Sequence, residues 1–352
     1  MTSDLLSSPL SSGGIAEADL STVRRVLITG VTGFIGGHLA ERLLRLGVAV
    51  RGLARRPSAA GWLADQGAEV IAGDLLDPGS LEPAAAGCDV VVHAAAWTGG
   101  AEGEALGWAV NVDGTAHLLR AAASASVRRF VYVSSVAVYG LNRSPVVDEA
   151  AATPPVGQLY PDSKIAAEGL VREAHGRGLE AVVVRPACTY GPRGVAWTIS
   201  VVEQIKAGRL VLLGEDRGLV NTGYIDNVVD GLLLAMAHPA AAGEAFNLCD
   251  GTAVTYRQFY LRYAAMLGLH RLPTYPAWLA RGAASSPGRL ARRLLGRRPV
   301  GPWSYHFRFN PSRFSIEKAA RLLGYRPAVD FDEGMRRTEA WLRRAGYLEP
   351  TR

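Results

Sequence analysis

The chain has 352 residues, 49% of them hydrophobic and 20% charged, with a formal charge of +6. That length exceeds what one small core needs and suits a large α/β domain, or a nucleotide-binding domain with an appendage. The basic residues are spread without a legible recognition module, so anionic cofactors explain the charge better than a nucleic-acid partner; Cys88, Cys188 and Cys249 lie too far apart for a disulfide framework or a zinc site, and no metal is expected.

Residues 1–22 have neither the basic start nor the apolar run of a signal peptide and read as a flexible tail, which makes the expected location cytoplasmic. Beyond them, β-branched runs ("RRVLIT", "VAVRGL", "AEVIAG", "DVVVHAA", "RRFVYVSS", "EAVVVRP") alternate with helical patterns such as "HLAERLLRL" and "AHLLRAAASA". The predicted fold class is therefore α/β, a Rossmann-type doubly wound parallel sheet over 23–186. Residues 223–249 are expected to return to that sheet, and 187–222 with 250–345 to form a smaller, mainly helical substrate-binding region. No run of about 18 apolar residues occurs, so no integral membrane segment is expected. The stretch 277–300 holds six arginines and no acid and reads as a solvated lid helix, with peripheral membrane contact as the alternative.

In "VLITGVTGFIGGHLAERLL", Gly30, Gly33 and Gly36 fall in a turn between a strand and a helix. Such a turn lets the backbone approach a pyrophosphate while the helix N-terminus offers free N–H groups. The second strand ends in "VRGLARRPS", which has no acid to accept from a ribose 2′-hydroxyl and instead supplies Arg55 and Arg56, suited to a 2′-phosphate. NADP(H) is accordingly expected over NAD(H). Asp74, at the end of the third strand, is in reach of an adenine amino group or serves as a turn residue.

Only three lysines occur in the chain, and one, Lys164, stands four residues after Tyr160 in "YPDSK". On a helix this spacing puts both on one face, where an ammonium favours the phenolate and donates to ribose hydroxyls. Pro161 is acceptable in a first helical turn but is expected to push Tyr160 away from helical dihedrals. At the end of "FVYVSS", Ser134 and Ser135 lie on opposite faces, and alternation does not say which meets the reacting oxygen.

The glycine turn, "GDLLD", "VVHAAA", "NVDGT", "YVSSVAVYG", Tyr160-x-x-x-Lys164 and "RPACTYGP" together resemble the extended short-chain dehydrogenase/reductase family, over about residues 24 to 345. That resemblance implies Ser135 rather than Ser134 as the catalytic serine, Tyr160 as acid/base, Lys164 as its activator and Asn111 as an organising polar residue. It also implies cofactor contacts at Thr32, Phe34, Ile35, Leu75, Ala94, Ala95 and Pro186, and a homodimer. Sugar-nucleotide enzymes of the family carry an Arg-Asp pair where Val220 and Asn221 stand here, and Asn residues where Cys188 and Thr189 stand. "YIDNV" and "YPDSK" instead resemble the 3β-hydroxysteroid dehydrogenase-like branch. The expected activity is NADP(H)-dependent hydride transfer to or from a ketone/secondary alcohol of a bulky hydrophobic substrate: steroid-like, polyketide, β-keto lipid or terpenoid. A nucleotide-sugar epimerase, dehydratase or 4-ketoreductase is the alternative, and a non-catalytic dinucleotide sensor a more distant one. Trp197, Tyr275, Trp278, Trp303, Tyr305 and Phe307 are candidates for the pocket wall, and Cys188 is expected to pack rather than react.

Overall fold

The computed structural model describes residues 19–99, 103–214, 216–278 and 308–349. Trp303, Tyr305, Phe307 and nearly all of the basic stretch 277–300 lie outside the described residues, as does most of the leader.

Seven strands form one parallel sheet: β1 (Arg25–Thr29), β2 (Ala49–Ala54), β3 (Glu69–Ala72), β4 (Val90–His93), β5 (Arg129–Val133), β7 (Glu180–Pro186) and β11 (Ala245–Leu248). Their order is β3-β2-β1-β4-β5-β7-β11, every neighbouring pair parallel. Period-2 alternation divides the side chains between two cores. Val26, Ile28, Val131 and Val184 face one layer, which includes helices Phe34–Arg45 and Ile225–Ala237; Leu27, Val91, Phe130 and Val183 face the other, with helices Gly114–Ser124 and Leu159–Gly176. A sheet buried on both faces needs near-continuous apolar strands, and these supply them.

The strand order reverses between β1 and β4, so a crevice opens outside their carboxyl ends. The chain leaves the sheet after β7, and β8 (Cys188–Tyr190) pairs parallel with β10 (Leu219–Tyr224), which pairs antiparallel with β12 (Ala253–Thr255). Two short pairings tie distant segments together: β9 (Leu212–Leu213) with β13 (Thr274–Tyr275), and β6 (Val146–Val147) with β14 (Arg313–Phe314). Helix Ile225–Ala237 then brings the chain back to the sheet, where β11 covers the edge of β7. Among the described residues no helix is long and apolar enough to cross a membrane.

Candidate active site

A cleft of about 430 Å³ occupies the crevice and is lined by Gly30, Thr32, Gly33, Arg55, Asp74, Leu75, Ala94 and Ala95 of the candidate set. Its floor demands glycine. Gly30 has φ +70°, and a Cβ there would lie 2.6 Å from the Ala95 nitrogen; a Cβ on Gly36 would collide with the Gly30 carbonyl. Helix Phe34–Arg45 opens without a side-chain cap, which leaves the first-turn N–H groups of Phe34, Ile35 and Gly36 without intrahelical partners. The Phe34 and Ile35 side chains pack on the core, so only their backbone is offered to a ligand. This glycine cradle and uncapped helix fit the pyrophosphate of a dinucleotide. Pro186 is buried at the end of β7, paired with Leu248, and does not line the cleft.

Arg55 lies exposed at the cleft just past β2, and Arg56 is exposed beside it; among the described residues neither makes an ion pair. Asp74 has both of its anticipated characters, since it lines the cleft and its Oδ1 accepts from the Leu76 N–H at 2.9 Å.

Helix Leu159–Gly176 begins one residue before Tyr160, so the tyrosine sits in the first turn despite Pro161. The expected displacement from helical dihedrals is not realised, because Asp162 locks the turn. Its carboxylate accepts from the N–H groups of Val156, Gly157 and Gln158 at 2.7, 2.8 and 3.1 Å. Lys164, 2% exposed, donates to the Val133 carbonyl at 2.8 Å and stands 6.0 Å from the Tyr160 ring centroid and 4.7 Å from that of Tyr132. Burial lowers the Lys164 pKa to about 7, with Glu168 pulling it back up. For Tyr160, burial raises the pKa and a hydrogen bond with Ser135 opposes it. The direction is therefore upward, opposite to the phenolate-favouring shift expected from Lys164.

The two serines separate cleanly. Ser134, 4% exposed, donates to Glu168 Oε1 at 2.6 Å, and Glu168 also takes a two-pronged contact from Arg185 at 2.9 and 2.7 Å. Ser135 is half-buried, accepts from the Ala137 N–H at 3.1 Å and meets Tyr160. Asn111, in a π-helical turn, spends its whole amide on protein: Oδ1 accepts from the Trp97 N–H at 2.7 Å, and Nδ2 donates to the Trp97 carbonyl at 3.0 Å and Ser163 Oγ at 2.9 Å. Ser163 Oγ in turn donates to the Tyr160 carbonyl at 3.0 Å.

Behind these residues runs a chain of hydrogen bonds that sequence reasoning missed. The Ala95 N–H donates to Thr29 Oγ1 (3.3 Å) and Thr115 Oγ1 donates to the Asn111 carbonyl (2.6 Å), while His93 bridges the two hydroxyls at 2.7 and 3.0 Å. With the Thr115 hydroxyl proton committed, His93 Nε2 must donate and Nδ1 must accept, which fixes one neutral tautomer. Burial, with Lys164 adding to it, holds the His93 pKa down at about 3. Glu168, four residues past Lys164, was also overlooked; an acid one helical turn beyond Lys164, on the same face, was the available signal.

The remaining candidates divide. Asn221 is 5% exposed and its amide bonds the Ser312 carbonyl and the Phe314 N–H, each at 2.9 Å, so it holds backbone rather than ligand. The Cys188 thiol is buried and its pKa is pushed up by desolvation, as suits packing. Trp197 packs edge-on against Phe259 at 5.9 Å, whereas Tyr275 and Trp278 are 49% and 69% exposed.

Residues 26–249 match the model of the NAD dependent epimerase/dehydratase family. The chain belongs to that family. As an epimerase/dehydratase-family protein of the extended short-chain dehydrogenase/reductase type, it is an NAD(P)-dependent enzyme. It is 34% identical over 317 residues to a 4-hydroxy-2-methyl-3-oxo-4-farnesyl-3,4-dihydroquinoline-1-oxide ketoreductase of Stigmatella aurantiaca, covering 88% of this chain and 94% of that relative. A 3 beta-hydroxysteroid dehydrogenase/Delta 5-->4-isomerase of Mycobacterium tuberculosis is 32% identical, covering 89% of each chain. Among solved structures, a dTDP-glucose 4,6-dehydratase of Streptomyces venezuelae with NAD bound superposes with a TM-score of 0.75 at 27% identity, over 93% of this chain and 99% of that one.

Proposed function

We propose that the protein is an NADPH-dependent ketoreductase that reduces a bulky, largely apolar ketone to a secondary alcohol. The observation that carries this reading is that Ser135 meets Tyr160 and Lys164 Nζ stands 6.0 Å from its ring, at the end of the helix that Asn111 braces. The glycine turn at Gly30, Gly33 and Gly36 would hold a nicotinamide dinucleotide, whose contribution there would be the hydride. Tyr160, kept protonated by burial, gives its phenolic proton to the carbonyl oxygen as negative charge develops there. Ser135 donates a hydrogen bond to the same oxygen. Lys164, oriented by the Val133 carbonyl, stabilises the phenolate left behind, which regains a proton from water. Asn111 acts through Ser163 on the position of Tyr160.

Arg55, exposed at the cleft and without an acid beside it, supports recognition of a 2′-phosphate and hence NADPH. For the substrate, Val220 and Asn221 are respectively buried and spent on backbone, so neither serves a sugar-nucleotide diphosphate. The apolar substrate also agrees with the names of the two relatives above. A homodimer and a cytoplasmic location belong to the same reading, the former checked by sedimentation.

The test joins two variants. Tyr160→Phe is expected to bind NADPH normally and to lose about 10²–10⁴-fold in turnover. Near wild-type turnover would remove the assignment. Arg55→Ala is expected to lose a preference for NADPH over NADH of at least about tenfold, or ~1.4 kcal/mol. Equal binding of both dinucleotides by the unaltered protein would overturn the preference for NADPH, and several degrees of thermal stabilisation by UDP-sugars would favour sugar-nucleotide chemistry instead.

A further inference from the structure

Trp97 has no role in the scheme above, yet it is the most firmly seated aromatic residue of the cleft. It lines the cavity with Leu106 and Val110, and its backbone is gripped on both sides by the one side chain of Asn111. That same amide donates to Ser163, and Ser163 donates to the Tyr160 carbonyl, so a run of hydrogen bonds ties the Trp97 backbone to the Tyr160 backbone. Packing repeats the constraint. A Cβ on Gly107 would come within 2.6 Å of the Trp97 ring and would also strike Leu159, the residue before Tyr160. The ring therefore occupies a seat that exists only because residue 107 has no side chain, wedged beside the first turn of the catalytic helix.

An indole is a costly filler for that seat. Among the described residues its buried Nε1–H has no hydrogen-bond partner, a penalty that leucine or phenylalanine would avoid. Trp97 is half-buried and lines the cleft, and a broad aromatic surface is what the indole supplies and a smaller side chain does not.

We propose that Trp97 determines which ketones the site accepts: its ring is a fixed wall on which a flat, fused-ring ketone lies with its carbonyl at Tyr160, in preference to a flexible chain. The proposal rests on the ketoreductase reading and names the substrate class for it. Stacking on a rigid, preset aromatic face costs a planar ligand little ordering entropy, whereas a linear chain must freeze its rotors to cover the same area.

The experiment compares a bicyclic aryl ketone, 2-tetralone, with a linear one, ethyl 3-oxohexanoate, using the full chain and NADPH. For Trp97→Ala at saturating NADPH, kcat/KM for the bicyclic ketone is expected to fall at least about tenfold, through KM, and that for the linear ketone less than about twofold. Trp97→Phe should fall between. Gly107→Ala, which displaces the ring without removing it, should lower the same ratio and stands in should Trp97→Ala not fold. An equal loss on both ketones, or a weakened NADPH affinity with the ratio preserved, overturns the proposal. Failure of the unaltered protein to reduce either ketone, with NADPH bound, refutes the ketoreductase reading and this proposal with it; abolition of both activities by Tyr160→Phe with the ketone ratio of Trp97→Ala unaltered refutes this proposal alone.

Discussion

Lys164 keeps an ammonium where solvation is poorest. Its pKa of about 7 against an unperturbed 10.5 means that below pH 7 both folded and unfolded chains carry the charge, and burying it costs stability in full. Between 7 and 10.5 only the unfolded chain holds the proton, so that cost is relieved as pH rises. Lys164→Met is therefore expected to melt higher than the unaltered cofactor-free protein at pH 6, with the advantage shrinking by pH 9, while activity is lost at both. A constant difference in melting temperature across that range would show that Lys164 is ordinarily solvated. The YPDSK stretch made both Tyr160 and Lys164 legible, because spacing on a helix is a local property. The choice between Ser134 and Ser135 was not local, since it depends on Glu168 reaching the first serine from a different helix while Arg185 holds Glu168 from a neighbouring strand.

At the scale of elements, all six apolar runs read as strands are strands of the central sheet, from Arg25–Thr29 to Glu180–Pro186. Strongly patterned segments bury in any context, so their sequence suffices. The two-residue pairings β6–β14 and β9–β13 left no trace in the sequence. They are made by partners more than 60 residues apart and have no period of their own. The π-helical turn at Ala109–Asp113 was equally hidden, for it exists to aim Asn111 at Trp97 and Ser163. The glycine turn was visible, but its tightness was not. Gly36→Ala forces the Gly30 carbonyl and the helix apart, and should cost about 1–3 kcal/mol in urea unfolding along with a clear loss of NADPH affinity. Unchanged binding would mean that the turn has slack the distances deny.

On the scale of the molecule, the two halves anticipated from the change of rhythm after Arg185 are interleaved through the chain's return. Asn227 shows how firmly: its amide bonds Asp250 Oδ1 and the Val329 carbonyl, each at 2.7 Å, and accepts from Ala328 and Val329 at 3.0 Å. The return itself, through helix Ile225–Ala237 and β11, places Val228, Leu232 and Phe246, all 0% exposed, in the core under the dinucleotide cleft. A fragment of residues 1–186 should accordingly be insoluble or bind hydrophobic dyes, although it holds every residue of the candidate cofactor and catalytic set. A soluble monomeric fragment with NADPH affinity would contradict that dependence.

β11 gives the same fact a direction in time. During synthesis, the β7 edge and the apolar face beneath helix Ile225–Ala237 stay open until residue 248 has left the ribosome, well after Lys164, the last of the proposed catalytic residues, has been made. Ser135, Tyr160 and Lys164 are thus translated into a half-built sheet with an unpaired edge, the kind of surface on which nascent chains cross-pair. Slowing translation between residues 186 and 248 should lower the yield of native enzyme more than slowing it anywhere upstream, without altering a single contact of the finished protein.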